Sequence, residues 1–219
     1  MKNKSAFTMI ELVFVIVILG ILASLAMGRM DRDLKQEASE TILSHIRLAQ
    51  QLALTDNKHL PDNNVNRDKW QTAYWQFAFK KCGDDVAYRV ASDGDFGGGI
   101  NGIGDKEAAI NPIDGKYIYS KDCSNLKNDE TPSVLLSKKF GIKNSGISTD
   151  GGCKAHRQIL FDYMGRPHSG NTSYKSNPNF VNIMTKDCNM TFTMSDGDTF
   201  SIIIEHETGY AYIEGEENS

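Results

Sequence analysis

From Phe7 to Met27 the chain reads FTMIELVFVIVILGILASLAM, apolar at almost every position and charged only at Glu11. A run of about 20 such residues is what a helix needs to cross a bilayer. After the polar patch Arg29-Met30-Asp31-Arg32-Asp33 the pattern changes. Leu34, Ala38, Ile42, Ile46, Ala49 and Ala53 recur at spacings of three or four, while Glu37, Glu40 and Arg47 fall mostly off that line. That is the pattern of an amphipathic helix. No proline occurs between Phe7 and Pro61, and Gly20 and Gly28 are points where the helix can bend. The pattern predicts one helix from Thr8 to Thr55, roughly 70 Å long at about 1.5 Å per residue. Its first half is apolar all round and its second half on one stripe. Asp56-Asn57-Lys58-His59 ahead of Pro61 supplies the stop.

From Pro61 onward the helical period is lost. Short runs rich in aromatic and β-branched residues alternate with Gly, Asn and Asp, which predicts strands. The candidates are Thr72–Lys80, Val86–Ala91, Lys116–Ser120, Val134–Phe140, Gln158–Asp162, Thr191–Met194, Thr199–Glu205 and Tyr210–Glu214. His206-Glu207-Thr208-Gly209 reads as the hairpin turn between the last two. Trp70, Trp75, Phe77 and Phe79 read as core or sheet-face residues. The expected architecture is α+β: a long N-terminal helix, transmembrane over 7–27 and amphipathic beyond, packed on an antiparallel β-rich head. The expected boundaries are a leader over 1–6, the helix over 7–58 and the head over 59–219.

The 219 residues suit one domain plus an anchor, and the net charge of −4 argues against bulk electrostatic binding of nucleic acid. Four cysteines, Cys82, Cys123, Cys153 and Cys188, all follow the apolar segment and show no C-x-x-C spacing. An even number of well-spaced cysteines beyond a membrane anchor points to disulfides in an oxidising compartment; the alternative is buried free thiols. Three pairings are possible. Cys82–Cys123 and Cys153–Cys188 are favoured because each pair brackets a loop-rich stretch.

The N-terminus admits three readings. Lys2 and Lys4 hold the first residues on the cytoplasmic side. A cleaved secretory signal, with Ser24-Leu25-Ala26 as its cleavage site, requires a shorter apolar core without a carboxylate. A plain signal anchor explains the length and gives Glu11 no role. The third reading rests on Ala6-Phe7-Thr8-Met9-Ile10-Glu11-Leu12, which closely resembles the prepilin processing motif of type IV pilins and type II secretion pseudopilins. The motif has a short basic leader, a small residue before the cut, an aromatic residue after it and a glutamate four residues on. The resemblance implies cleavage between Ala6 and Phe7 by prepilin peptidase and N-methylation of Phe7. The family usually has glycine before the cut, and alanine is the nearest substitute in size. A carboxylate inside a membrane helix costs about 2.5–3.5 kcal/mol and usually has a partner. In a filament, Glu11 of one subunit can reach the Phe7 amine of a neighbour, which neutralises both charges and sets the axial register.

The head carries a second resemblance. Gln158–Pro167 (QILFDYMGRP), Phe200–Glu205 (FSIIIE) and Thr208–Ile213 (TGYAYI) look like minor pseudopilins and pilins of the GspH/FimT type, over roughly Val134 to Ile213. That resemblance implies a place at or near the filament tip, as initiator or adaptor. Some competence relatives bind DNA through a basic tail, whereas this chain ends Glu214-Gly215-Glu216-Glu217-Asn218-Ser219. Lys138, Lys139 and Lys143, with Lys154 and Arg157, form a modestly basic stretch that offers contacts to DNA or an acidic partner.

Other constellations have plainer readings. Asp93-Gly94-Asp95 and Asp105 flank a glycine-rich loop that offers oxygen ligands to calcium, but without EF-hand spacing; a solvated loop is the simpler account. His156, Asp162 and His168 lack the spacing of a metal or catalytic set. No metal, cofactor or enzymatic activity is expected. The expected function is that of a minor pilin-like subunit of a periplasmic pseudopilus, anchored in the bacterial inner membrane with its N-terminus cytoplasmic. It would serve type II protein secretion or competence DNA uptake. The expected partners are other pilin subunits, prepilin peptidase, an inner-membrane platform protein and membrane lipid. The alternative is a filament-tip module that contacts DNA or a secreted protein.

Overall fold

A computed structural model of the chain describes residues 8–59, 64, 69–70, 73–94, 103–154, 157–170 and 182–216, with 25–33 described by backbone alone. One helix, α1 (Met9–Thr55), runs for 47 residues, about 70 Å. It continues through Gly20 and Gly28 without a break. Asp56 ends it, its N–H donating to the Leu52 carbonyl at 2.8 Å.

The second half of α1 is the spine of the head. Ala38, Ile42, Ile46, Ala49 and Ala53 are buried, and Leu34 packs partly buried beside them. The predicted stripe is thus the face that meets the sheets. These are β1 (Trp75–Cys82), β2 (Asp85–Ala91), β3 (Ile147–Gly151), β4 (Gln158–Phe161), β5 (Pro167–Ser169), β6 (Cys188–Thr193), β7 (Thr199–Ile204) and β8 (Ala211–Ile213). They form two four-stranded sheets, ordered β2-β1-β4-β5 and β3-β6-β7-β8, with every ladder antiparallel. Phe77, Tyr88, Phe161 and Phe192 fill the core beneath α1, and Phe77 stacks on Tyr88 at 4.9 Å. Trp75 and Phe79 pack partly buried against that core, while Trp70 sits beside Tyr163 at 5.3 Å.

Several predicted strands differ from the observed elements. Val134–Phe140 is a 3-10 turn, Pro132–Val134, followed by a short helix, α2 (Leu136–Phe140). Pro132 opens that turn, the apolar pair Leu136 and Phe140 is buried at helical spacing, and Gly141 at φ 68° closes the helix. Lys116–Ser120 forms isolated bridges, from Tyr117 to Ile110 and Glu130, rather than a ladder. β3 and β5 (ISTDG and PHS) were not expected; both are short, polar sheet edges with little apolar alternation. The hairpin turn sits where expected: Glu205 donates to Tyr210 across it at 2.9 Å, and Gly209 takes φ 72°. A Cβ at Gly209 would fall 2.6 Å from the Gly165 carbonyl, so that glycine is also required by close approach.

Cys82 joins Cys123 and Cys153 joins Cys188, across sequence separations of 41 and 35. The first ties the end of β1 to the loop that follows β2, and the second ties the end of β3 to the start of β6.

Candidate assembly site at the helix N-terminus

Thr8 caps α1. Its hydroxyl accepts from the Glu11 N–H at 3.4 Å, and its own N–H and hydroxyl donate to Glu11 Oε2 at 3.1 and 3.0 Å. This reciprocal capping box satisfies donors that the first helical turn leaves without partners. It also places the carboxylate at the positive end of the helix dipole. The sequence reading sought a cation for Glu11 in the Phe7 amine of a neighbouring subunit; within the chain the structure adds a neutral partner, Thr8. The signal was present as Thr-x-x-Glu ahead of an apolar run. The expected cut between Ala6 and Phe7, the modified Phe7 and the 1–6 leader lie outside the described residues.

Beyond the cap, the helix presents apolar side chains to solvent on every side. Met9 is 88% exposed, Phe14 67% and Leu19 59%. Nothing lies within 4 Å of a Cβ added at Gly20. Contiguous exposed apolar surface on this scale marks a site of contact with protein or membrane. Among the described residues no helix is long and apolar enough to cross a membrane. The expected span, 7–27, begins before and ends after the 8–24 stretch whose side chains are described.

Between this segment and the sheets, polar groups fix α1 to the head. Gln50 Nε2 donates to the Thr208 carbonyl at 2.7 Å and to the Gly165 carbonyl at 3.1 Å, joining one turn from each sheet to the helix. Arg47 Nε donates to the Ala211 carbonyl of β8 at 2.9 Å. His45 is buried, with Nδ1 2.6 Å from the Tyr88 hydroxyl. Burial pushes His45 down to about 4 and keeps the Tyr88 hydroxyl protonated, so this is a hydrogen bond between two neutral groups. Sequence reasoning missed Gln50 and His45, because a single polar residue on a helix carries no pattern.

The other candidate groups are engaged structurally. Asp162 is fully buried. It accepts from the Met164 and Arg166 N–H groups, from Arg166 Nε at 2.9 Å and from His168 at 3.1 Å. Burial alone would raise its pKa; the hydrogen bonds from His168 and Arg166 outweigh that and hold it low. The set shapes the β4–β5 turn, while His156 lies outside the described residues. Glu107 accepts from Gly94 at 3.0 Å and Gly104 at 2.8 Å, the two stems of the glycine-rich loop, and Asp105 pairs with Lys127. Asp95 to Gly102 lie outside the described residues. Among the described residues no cluster of His, Cys, Asp or Glu could hold a metal ion. In the basic stretch, Lys139 pairs with Glu37 at 2.6 Å and Lys143 with Asp85 at 2.7 Å. Lys138, on α2, has no ion pair with an acidic group among the described residues. The chain's last residues, 217–219, are outside the described set.

Comparison with known proteins bears on the N-terminus. Residues 1–27 match the prokaryotic N-terminal methylation motif. No curated protein and no solved structure matches the chain. The matched segment contains Ala6, Phe7, the Thr8–Glu11 cap and the exposed apolar helix. The N-terminal 27 residues are therefore a prepilin-type methylation motif, consistent with the type IV pilin-like family, and the motif implies processing by prepilin peptidase and assembly with other pilin subunits.

Proposed function

We propose that the protein is a minor pilin-like subunit of a periplasmic pseudopilus serving type II secretion or competence DNA uptake. It inserts in the inner membrane through Phe7–Met27 with its N-terminus cytoplasmic. Prepilin peptidase removes residues 1–6, and Phe7 becomes the methylated N-terminus. Subunits then leave the bilayer by packing these helices against one another, driven through a platform protein. The role is assembly, not catalysis. The observation that carries this reading is the division of α1: one stretch is buried by its own head, and the other presents an apolar surface with a single carboxylate at its tip.

Glu11 then has two states. In the lone subunit Thr8 satisfies it; in the filament the Phe7 amine of a neighbour offers a charge-assisted partner in apolar surroundings. Mass spectrometry of the mature N-terminus tests the reading. N-methylated Phe7 is the expected result, whereas a chain beginning at Met1, or at Met27 after an ordinary signal cleavage, overturns it.

A further inference from the structure

The sheet β3-β6-β7-β8 has different chemistry at its two outer edges. Beside β3 lies a groove of about 470 Å³ lined by Lys81, Ser148, Thr149, Lys154, Arg157 and Gln158, with Ile147 at its floor. Three of these are cations and none is acidic. Lys154 has a long contact to Asp150 at 3.5 Å, both side chains being largely exposed, and Arg157 is fixed by the Asn144 carbonyl at 3.1 Å. At the opposite edge, where β7 and β8 meet α1, a groove of about 460 Å³ is lined by Asp198, Glu214 and Glu216, with Lys35 as its single cation.

We infer that these two grooves are complementary halves of one contact, in which the acidic edge of one copy seats in the basic groove of the next. Three strand spacings, about 14 Å, separate β3 from β8 across the sheet, so the acidic edge cannot fold back into the basic groove of its own chain. A contact between different surfaces of identical subunits is heterologous and generates rows, the geometry a filament requires. The occupant is a second copy rather than nucleic acid, because the acid-lined groove supplies a matched partner on the same molecule, whereas a polyanion would meet only three cations here, one of them, Lys154, beside Asp150. Lysines beside an edge strand also keep unrelated strands from pairing, but that role needs no acidic counterpart.

The inference rests on the assembly reading and extends it: a subunit present as an isolated single copy has no use for this pair of surfaces. The test uses the full chain in its native membranes, with a photo-reactive phenylalanine at Ser148 in the groove and, separately, at Val15 in the apolar helix. The Ser148 probe should cross-link to a second copy within residues 198–216. Lys81→Glu with Lys154→Glu should lower that yield about tenfold, as expected for like charges brought together. Adding Asp198→Lys and Glu214→Lys should restore it. Cross-linking from Ser148 to nucleic acid or to a different protein, or failure of the charge swap to restore the yield, overturns the inference. If the Val15 probe still links subunits while Ser148 does not, the grooves are wrong and assembly stands. If neither probe links subunits, the assembly reading itself fails.

Discussion

Ile16 and Ile46 are the same side chain on the same helix, yet Ile46 is fully buried and Ile16 is 60% exposed. Around Ile46 the chain provides its own environment: two sheets, Gln50 bridging their turns, Arg47 on β8 and His45 on Tyr88. Around Ile16 the described residues provide none, and the side-chain hydrogen bonds of that segment are the Thr8–Glu11 cap and the Ser24 hydroxyl donating to the Ile21 carbonyl at 2.9 Å. One half of α1 is therefore completed by its own fold and the other by whatever adjoins it. That division separates what should alter the head from what should alter assembly.

Removing the Cys153–Cys188 bridge as a double serine variant frees a loop of sequence separation 35. Loop-closure entropy puts the loss at about 4 kcal/mol. Chemical denaturation of the full chain in detergent should register it in the head, with the helix N-terminus unaffected. Ile46→Ala should cost roughly 3 kcal/mol by the same assay, through lost burial and a residual cavity. Ile16→Ala should cost nothing measurable there; an equal loss at both positions would break the comparison.

Acid should also act on the head. His45 titrates near its ordinary 6.5 when unfolded and is pushed down to about 4 by burial. Between these values the unfolded chain binds a proton that the folded chain does not, so stability falls as pH drops through that window. The loss from this site should reach about 3 kcal/mol at pH 4. Asp162, held low by its hydrogen bonds, adds loss only as pH falls below the ordinary carboxylate range towards its folded value. Denaturation curves at a series of pH values for the parent and His45→Gln check this; the variant should show the shallower slope between pH 6.5 and 4. Among the changes within the head Gln50→Ala has the smallest expected effect, about 1–2 kcal/mol, since the Thr208 and Gly165 carbonyls each lose a donor.

The amphipathic half of α1 was legible because a stripe at 3.6-residue spacing has one good solution, and Ala38, Ile42, Ile46, Ala49 and Ala53 all occupy it. The last two strands and their turn were legible for the same kind of reason: alternation bounded by a glycine at positive φ. Val134–Phe140 misled because a short apolar run does not distinguish strand from helix, and Pro132 with Gly141 settled it as a turn and a helix. β3 escaped notice because an edge strand can be polar on both faces. At the N-terminus the residues that resemble a processing motif are also a helix cap. Reading Thr8 only as part of the motif hid its bond to Glu11.

The central claim is that Glu11 serves contacts between subunits, beyond its bond to Thr8. Glu11→Leu and Thr8→Val both abolish the local cap, but only the first removes the carboxylate. Filament assembly, scored by helix-to-helix cross-linking in native membranes, should be lost in Glu11→Leu and largely kept in Thr8→Val, with head stability unchanged in both. Assembly of Glu11→Leu at the parent's level would contradict the account and leave Glu11 as a helix cap alone.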